Sequence, residues 1–462
     1  MFIKVMFPLF IIFHTLPVLA NQPNIVFILA DDLGAHTLSS DGNPIMETPH
    51  LDKLAAAGMS FSRGYANAAT CKPSRAAIIS GQYAPRTEIY RVVDRHKGKD
   101  DYIKFKVPPN ATHLALDNIT LAESLKAAGY QTGHFGKWHL EKYKSYLPDT
   151  QGFDVSYESH KVHFGAQINM DKNLPNDVYI GDFMTDKALE FIDNATNNKK
   201  PFFAYIPYYL IHKPWQAKAD DLAYFDKKWG NKYDATTKSV AAMTKALDDN
   251  VGRVNEHLEK LGISDNTLVV FTSDNGGYKM PGNVLNGKLR GYKGEIYEGG
   301  LRVPYIFKFP TVIANNQRSN EMIMGIDIYP TLISFAKAKA PQQALDGVDF
   351  MPLLTGNTKV NPPRSLFWFF PKWERYQEKT GKWYNSWRNV INNGRYKLIE
   401  YPDLDQVEVY DLENDPFEQQ DISSSAAELT THLQQELKDW KINISAHQEI
   451  INPNFKETTS NK

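Results

Sequence analysis

The sequence predicts an α/β protein built on a sheet of buried, largely parallel strands, followed by a smaller α+β subdomain. Three observations predict it: short uninterrupted apolar runs, helical stretches between those runs, and a change of pattern after about residue 365. The run NIVFILADD is apolar from Ile25 to Ala30 and ends abruptly in Asp31 and Asp32, the pattern of a strand covered on both faces. Thr48 and Pro49 read as the N-cap and first residue of a helix over LDKLAAA that stops at Gly58. In TLAESLKAAG, Thr120 and Glu123 form a capping box and Gly129 the terminator. Further strands are expected at YQTGHF, PFFAYIPYY, TLVVFTSDN and VPYIFKF, with a helix from Thr237 to Leu261 between two of them. In such a sheet, sites lie at the C-terminal ends of the strands. Beyond residue 365, RYKLIEY and VEVYDL read as short strands and Ala426 to Trp440 as a helix.

The 462 residues are 42% hydrophobic and 23% charged, enough apolar material for a sizeable core. The 52 basic and 53 acidic side chains nearly cancel, so a nucleic-acid partner held by global charge is not expected. Any polyanion must be gripped by a local basic pocket. Residues 1–20 read as a secretory signal peptide cut after Ala20, because Pro8, His14 and Pro17 interrupt a run already short for a bilayer. A catalytic domain is expected over 21–364 and the α+β subdomain, completing the substrate site, over 365–462. Cys71 is the only cysteine, so no intramolecular disulfide can form. A large exported chain without disulfides fits a periplasmic or secreted protein, with no membrane attachment after signal cleavage.

Candidate chemistry gathers at the strand ends. Cys71 opens CKPSRAAIISG, where Pro73 suits the first turn of a helix, so the cysteine lies where free N–H groups favour an anion; a small buried side chain is the alternative. Asp31, Asp32, Asp274 and Asn275 are hard oxygen donors ending two apolar strands, a set suited to Ca²⁺ or Mg²⁺ and not to zinc, with a solvated loop or cap the alternative for the first pair alone. Arg75 lies one helical turn beyond Cys71, in reach of an anionic nucleophile or its substrate. Lys137 and His139 follow a strand and share a side if the extended chain continues.

Cys71-Lys-Pro-Ser-Arg75 resembles the signature of the formylglycine-dependent sulfatases, within the alkaline phosphatase superfamily. The strings ADDLG, CKPSRAAIISG, GKWHL, SDNGG, KGEIYEGGLRVP and YKLIEY...VYDLENDP occur in that family's order across nearly the whole chain. The resemblance implies a large mixed, mostly parallel sheet sandwiched by helices. It implies that Cys71 is oxidised to formylglycine by a formylglycine-generating or anaerobic sulfatase-maturing enzyme. It also implies one Ca²⁺ held by Asp31, Asp32, Asp274 and Asn275, with the modified Cys71 completing the site. By the same resemblance Lys137 bridges nucleophile and sulfate, His139 is the base that breaks down the covalent intermediate, His212 protonates the departing alcohol, and Lys293 binds sulfate. Lys288, five residues earlier, is the alternative to Lys293.

The implied reaction is sulfate-ester hydrolysis on sulfated oligo- or polysaccharides such as algal galactan or glycosaminoglycan fragments. Trp368, Trp373, Trp383 and Trp387, beside Lys372, Arg375 and Arg388, suit either a wall for sugar rings or subdomain packing. Residues 86–106, with Arg91, Arg95, His96 and Lys97, suit a second wall or a solvated insertion. An arylsulfatase, a phosphonate or phosphate ester hydrolase, and a non-catalytic polysaccharide-binding protein with unmodified Cys71 are the alternatives.

Overall fold

A computed structural model describes residues 22–93, 100–357, 363–377 and 382–456. The predicted signal peptide and the segment holding Arg95, His96 and Lys97 lie outside them. The principal sheet contains β1 (Asn24–Ala30), β2 (Met59–Tyr65), β3 (Gln131–Gly136), β4 (Val155–Glu158), β5 (Phe202–Pro207), β6 (Thr267–Ser273), β7 (Tyr305–Lys308) and β8 (Gln317–Met324). Their spatial order is β8-β2-β7-β6-β1-β5-β3-β4. Only β7 runs antiparallel to its neighbours β2 and β6, so the sheet is mixed but mostly parallel.

Every residue of β1 is buried, because alternate side chains feed two different cores. Val26, Ile28 and Ala30 pack with Met184 of helix α4 (Ile180–Asn197) and Leu247 of α6 (Ala235–Lys260). Ile25, Phe27 and Leu29 face the other way, onto Leu125 of α3 (Leu121–Ala127) and Leu332 of α7 (Ile328–Phe335). Helices α1 (Pro49–Ala56), α2 (Cys71–Ser80) and α5 (Ala219–Trp229) complete this part of the molecule.

Local signals act much as their chemistry dictates. The Thr120–Glu123 box is closed, with Glu123 N–H donating to Thr120 Oγ1 at 3.1 Å and Thr120 N–H to Glu123 Oε2 at 2.6 Å. Thr48 precedes α1, yet its hydroxyl donates to Asp52 and does not cap the helix. Asp248 on α6 accepts from the N–H groups of His50 and Leu51 instead, so the cap comes from across the core.

A four-stranded antiparallel sheet follows, ordered β9 (Leu366–Phe370), β10 (Arg388–Asn392), β11 (Tyr396–Tyr401) and β12 (Gln406–Asp411), with α8 (Ala427–Asn443) against it. Its core is shared with the principal domain: Trp368, Trp387, Leu398 and Leu433 pack with Tyr65, Ala77 and Met324. The expectation that Trp368 lines the substrate site is therefore corrected. Trp368 is 1% exposed and donates its indole N–H to Ala66 O at 2.8 Å, so no sugar can reach it. Truncation to alanine removes this packing beside the segment leading to Cys71. Trp368→Ala is expected to lower unfolding stability by about 3–5 kcal/mol, read as a shifted urea midpoint.

Candidate active site

The parallel pairing of β1 with β6 aligns Ala30 with Ser273, so Asp31 and Asp32 leave the sheet beside Asp274 and Asn275. All four side chains are buried. Asn275 donates to Asp32 Oδ1 at 2.8 Å, and the Asp32 N–H donates to Asp274 Oδ1 at 3.3 Å. Helix α2 begins at Cys71 directly opposite, bringing Sγ to 3.4 Å from Asp31 Oδ1 and 3.9 Å from Asp32 Oδ1.

Three cations enclose the carboxylates. Lys137 Nζ lies 2.6 Å from Asp31 Oδ2, and Lys293 Nζ lies 2.6 and 2.8 Å from the two Asp32 oxygens and 3.2 Å from Cys71 Sγ. Arg75 donates to Asp274 Oδ2 at 2.7 Å and to the Lys137 carbonyl at 2.7 Å, and sits 3.5 Å from Asp31 Oδ2. Arg75 is 1% exposed, with Nε and one terminal nitrogen bonded to this framework and its other terminal nitrogen buried without a hydrogen-bond partner, so it orders the carboxylates. Lys288 is exposed, and Lys293 is the lysine placed against Cys71.

His212 approaches Asp32 Oδ2 through Nε2 at 3.8 Å, while its Nδ1 is tied to the Lys213 carbonyl and the Tyr209 hydroxyl. Tyr209 lies 4.9 Å from His212, ring to ring, and 5.4 Å under the Lys137 ammonium. The sequence reading missed it, because a tyrosine in an apolar strand end carries no separate signal. His139 does not continue the extended chain. β3 ends at Gly136, and His139 has φ +64°, the left-handed region, which turns its ring toward His160 at 5.5 Å.

The electrostatics follow from burial among these charges. Burial favours protonation of Asp31, but Lys137, His212, Arg75 and Lys293 overcome it and hold its carboxyl well below the usual range. Burial and the neighbouring Asp31 push Asp274 up to about 6. Burial, Asp274 and Asp31 raise the Cys71 thiol strongly, so the unmodified side chain keeps its proton and is no thiolate nucleophile. Burial also lowers His212, with Asp31 and Asp32 opposing.

The donor set fits a hard divalent cation. Asp31, Asp32 and Asp274 supply carboxylate oxygens, and Asn275 Oδ1 is buried without a hydrogen-bond partner, the property of an amide oxygen awaiting a ligand. Arg91, Trp373, Lys372, Glu374 and Tyr384 line a cavity of about 250 Å³ that reaches Thr70, the residue before Cys71. Trp373 is 3% exposed, so it shapes that wall mainly as packed structure.

Comparison with known proteins agrees with this arrangement. The family model described as sulfatase matches residues 23–338, and the one described as N-sulphoglucosamine sulphohydrolase, C-terminal, matches 292–443. A sulfatase of Formosa agariphila is 32% identical, with 92% of this chain and 90% of that protein aligned. The N-acetylgalactosamine-6-sulfatase of Mus musculus is 31% identical over 79% of this chain and 74% of its own. The solved structure of Ps i-CgsB in complex with k-i-k-neocarrahexaose superposes with a TM-score of 0.78 at 28% identity, covering 94% and 95% of the two chains. With the family model spanning well over half its length and the strand-end carboxylates facing Cys71, the chain belongs to the sulfatase family, enzymes that hydrolyse sulfate esters.

Proposed function

We propose that this sulfatase desulfates carbohydrates, using formylglycine made from Cys71 and a Ca²⁺ ion held by Asp31, Asp32, Asp274 and Asn275. One observation carries the reading. The lone cysteine is buried, kept as a thiol by its surroundings, and pinned between two carboxylates and Lys293. A hydroxyl nucleophile at position 71 would share the cation that these strand-end carboxylates hold, which favours its ionised form. Hydrated formylglycine supplies a hydroxyl nucleophile, and the cation screens negative charge.

The chain's own residues do the rest. Lys137 and Lys293 meet sulfate oxygens, and Arg75 keeps Asp31 and Asp274 in place. His212, oriented through Nδ1, presents Nε2 to protonate the leaving sugar oxygen. His139 takes the proton that must leave position 71 when sulfate is released. The substrate class rests on the cavity beside Thr70, where Arg91 and Lys372 stand near Tyr384. Tyr384 bonds Tyr292 and Glu295, on either side of Lys293, and so ties that wall to the sulfate site. The similarity to a structure solved with a neocarrahexaose and to an N-acetylgalactosamine-6-sulfatase supports the same class. Export to the periplasm or beyond, after removal of residues 1–20, and maturation by a formylglycine-generating or anaerobic sulfatase-maturing enzyme complete the proposal. Among the described residues, no helix is long and apolar enough to cross a membrane.

Two measurements test it. Matured protein is expected to prefer sulfated galactan or glycosaminoglycan oligosaccharides over nitrophenyl sulfate and phosphate esters, and Cys71→Ala to lose turnover by at least about 1000-fold. Preference for the aryl ester overturns the substrate class, and unchanged turnover in Cys71→Ala overturns the nucleophile. Added Ca²⁺ is expected to raise the melting temperature of chelator-treated protein and not that of Asp31→Asn, because an ion bound only by the folded state stabilises it.

A further inference from the structure

β3 and β4 are adjacent parallel strands that pair through Gly136 and Glu158. Just past this register each chain carries an imidazole and a carboxylate two residues apart, His139 with Glu141 and Glu158 with His160. His160 Nδ1 lies 2.7 Å from Glu158 Oε1 and 3.9 Å from Glu141 Oε1. Its ring lies 5.5 Å from that of His139, with the planes inclined by 35°.

The backing is rigid. The Glu158 N–H donates to Asn169 Oδ1 at 2.6 Å, and its carbonyl accepts from the Asn169 N–H at 2.9 Å. The Ser159 N–H donates to the Gly136 carbonyl at 2.9 Å, joining both strand ends. His139, by contrast, has a buried Nδ1 without a hydrogen-bond partner and a left-handed backbone. Its ring packs beside that of His160.

We propose that Glu158 and His160 are positioning residues for His139, holding its imidazole at the angle from which it takes the proton at position 71. This rests on His139 being the base in the reading above. Burial, followed by the charges of Lys137, His160, Lys72 and Arg75, holds the His139 pKa well below the ordinary histidine value, so the ring stays neutral and able to accept. Burial and Glu158 raise Glu141, while His160 and Lys72 oppose.

The experiment compares three variants of matured protein with wild type. His160→Phe keeps a ring and removes the bond to Glu158. His160→Asn keeps a nitrogen near the place of Nδ1 and removes the ring. Glu158→Gln removes only the carboxylate charge. Melting temperature, KM, and kcat on a nitrophenyl sulfate over about pH 5 to 9 are measured for each. His160→Asn and Glu158→Gln are expected to lower kcat by about 10- to 100-fold at nearly constant KM, with the first rapid release of nitrophenol retained. His160→Phe is expected to keep more of kcat than His160→Asn. It should also move the acid limb of kcat to higher pH, because His160 is one of the groups that hold the His139 pKa down. Folded variants with wild-type kcat and an unmoved acid limb overturn the inference while leaving the sulfatase reading intact. Wild-type protein inactive on every sulfate ester, or a His139→Ala variant as fast as wild type, overturns the underlying reading and this inference with it.

Discussion

Three carboxylates crowded at the ends of β1 and β6 are the constraint around which the molecule is arranged. Parallel register places them together, and burial denies them water. An ionised carboxylate in such a place is sustained only by paired positive charge and hydrogen bonds, and breaking a buried pair typically costs about 3–5 kcal/mol. Arg75, Lys137 and Lys293 supply that charge from α2, from the end of β3 and from the loop after β6. Three distant stretches of sequence are therefore fixed in space by one electrostatic demand.

That demand explains the close union of the two parts of the protein. Helix α2 must hold Cys71 and Arg75 at the carboxylates, and all ten of its residues are buried. Ala76, Ile78 and Ile79 anchor it to the sheet core, while Ala77 faces the aromatic core shared with the C-terminal sheet. Trp368 extends that core to the chain just before the helix through its bond to Ala66. The C-terminal sheet thus stiffens the surroundings of Cys71 from behind, and Tyr384, from the same subdomain, touches the loop carrying Lys293 from the side.

The strands were legible because burial on both faces forces continuous apolar runs, and the carboxylates were legible because charge at the end of such a run has few structural uses. Helix boundaries followed from caps, although Thr48 occupies a cap position whose hydrogen bonds come from Asp248, a partner 200 residues away that no local pattern reveals. The direction of His139 was not legible either. A single left-handed residue reverses where a side chain points, and that conformation is uncommon enough outside glycine that one histidine does not announce it. Trp368 misled for a related reason, since an aromatic cluster looks the same in sequence whether it faces a sugar or a neighbouring sheet, and of Trp368 and Trp373 only the second lines the cavity beside Thr70. Glu158 and His160 acquire meaning only from the register of β3 with β4.

The same balance of charge links ion binding to anion binding. Three carboxylates face three protein cations, and both lysine ammonium groups lie within 3 Å of carboxylate oxygens. An ammonium held that way is a poor partner for sulfate, because a new contact must first break an existing one in a medium where unpaired charge is costly. A divalent cation held by the Asp31 and Asp32 oxygens would compete for the contacts that Lys137 and Lys293 make there, leaving their charge available to an anion. On the proposed reading, the lysines serve as internal counter-ions until the metal takes over that task, and as sulfate ligands afterwards.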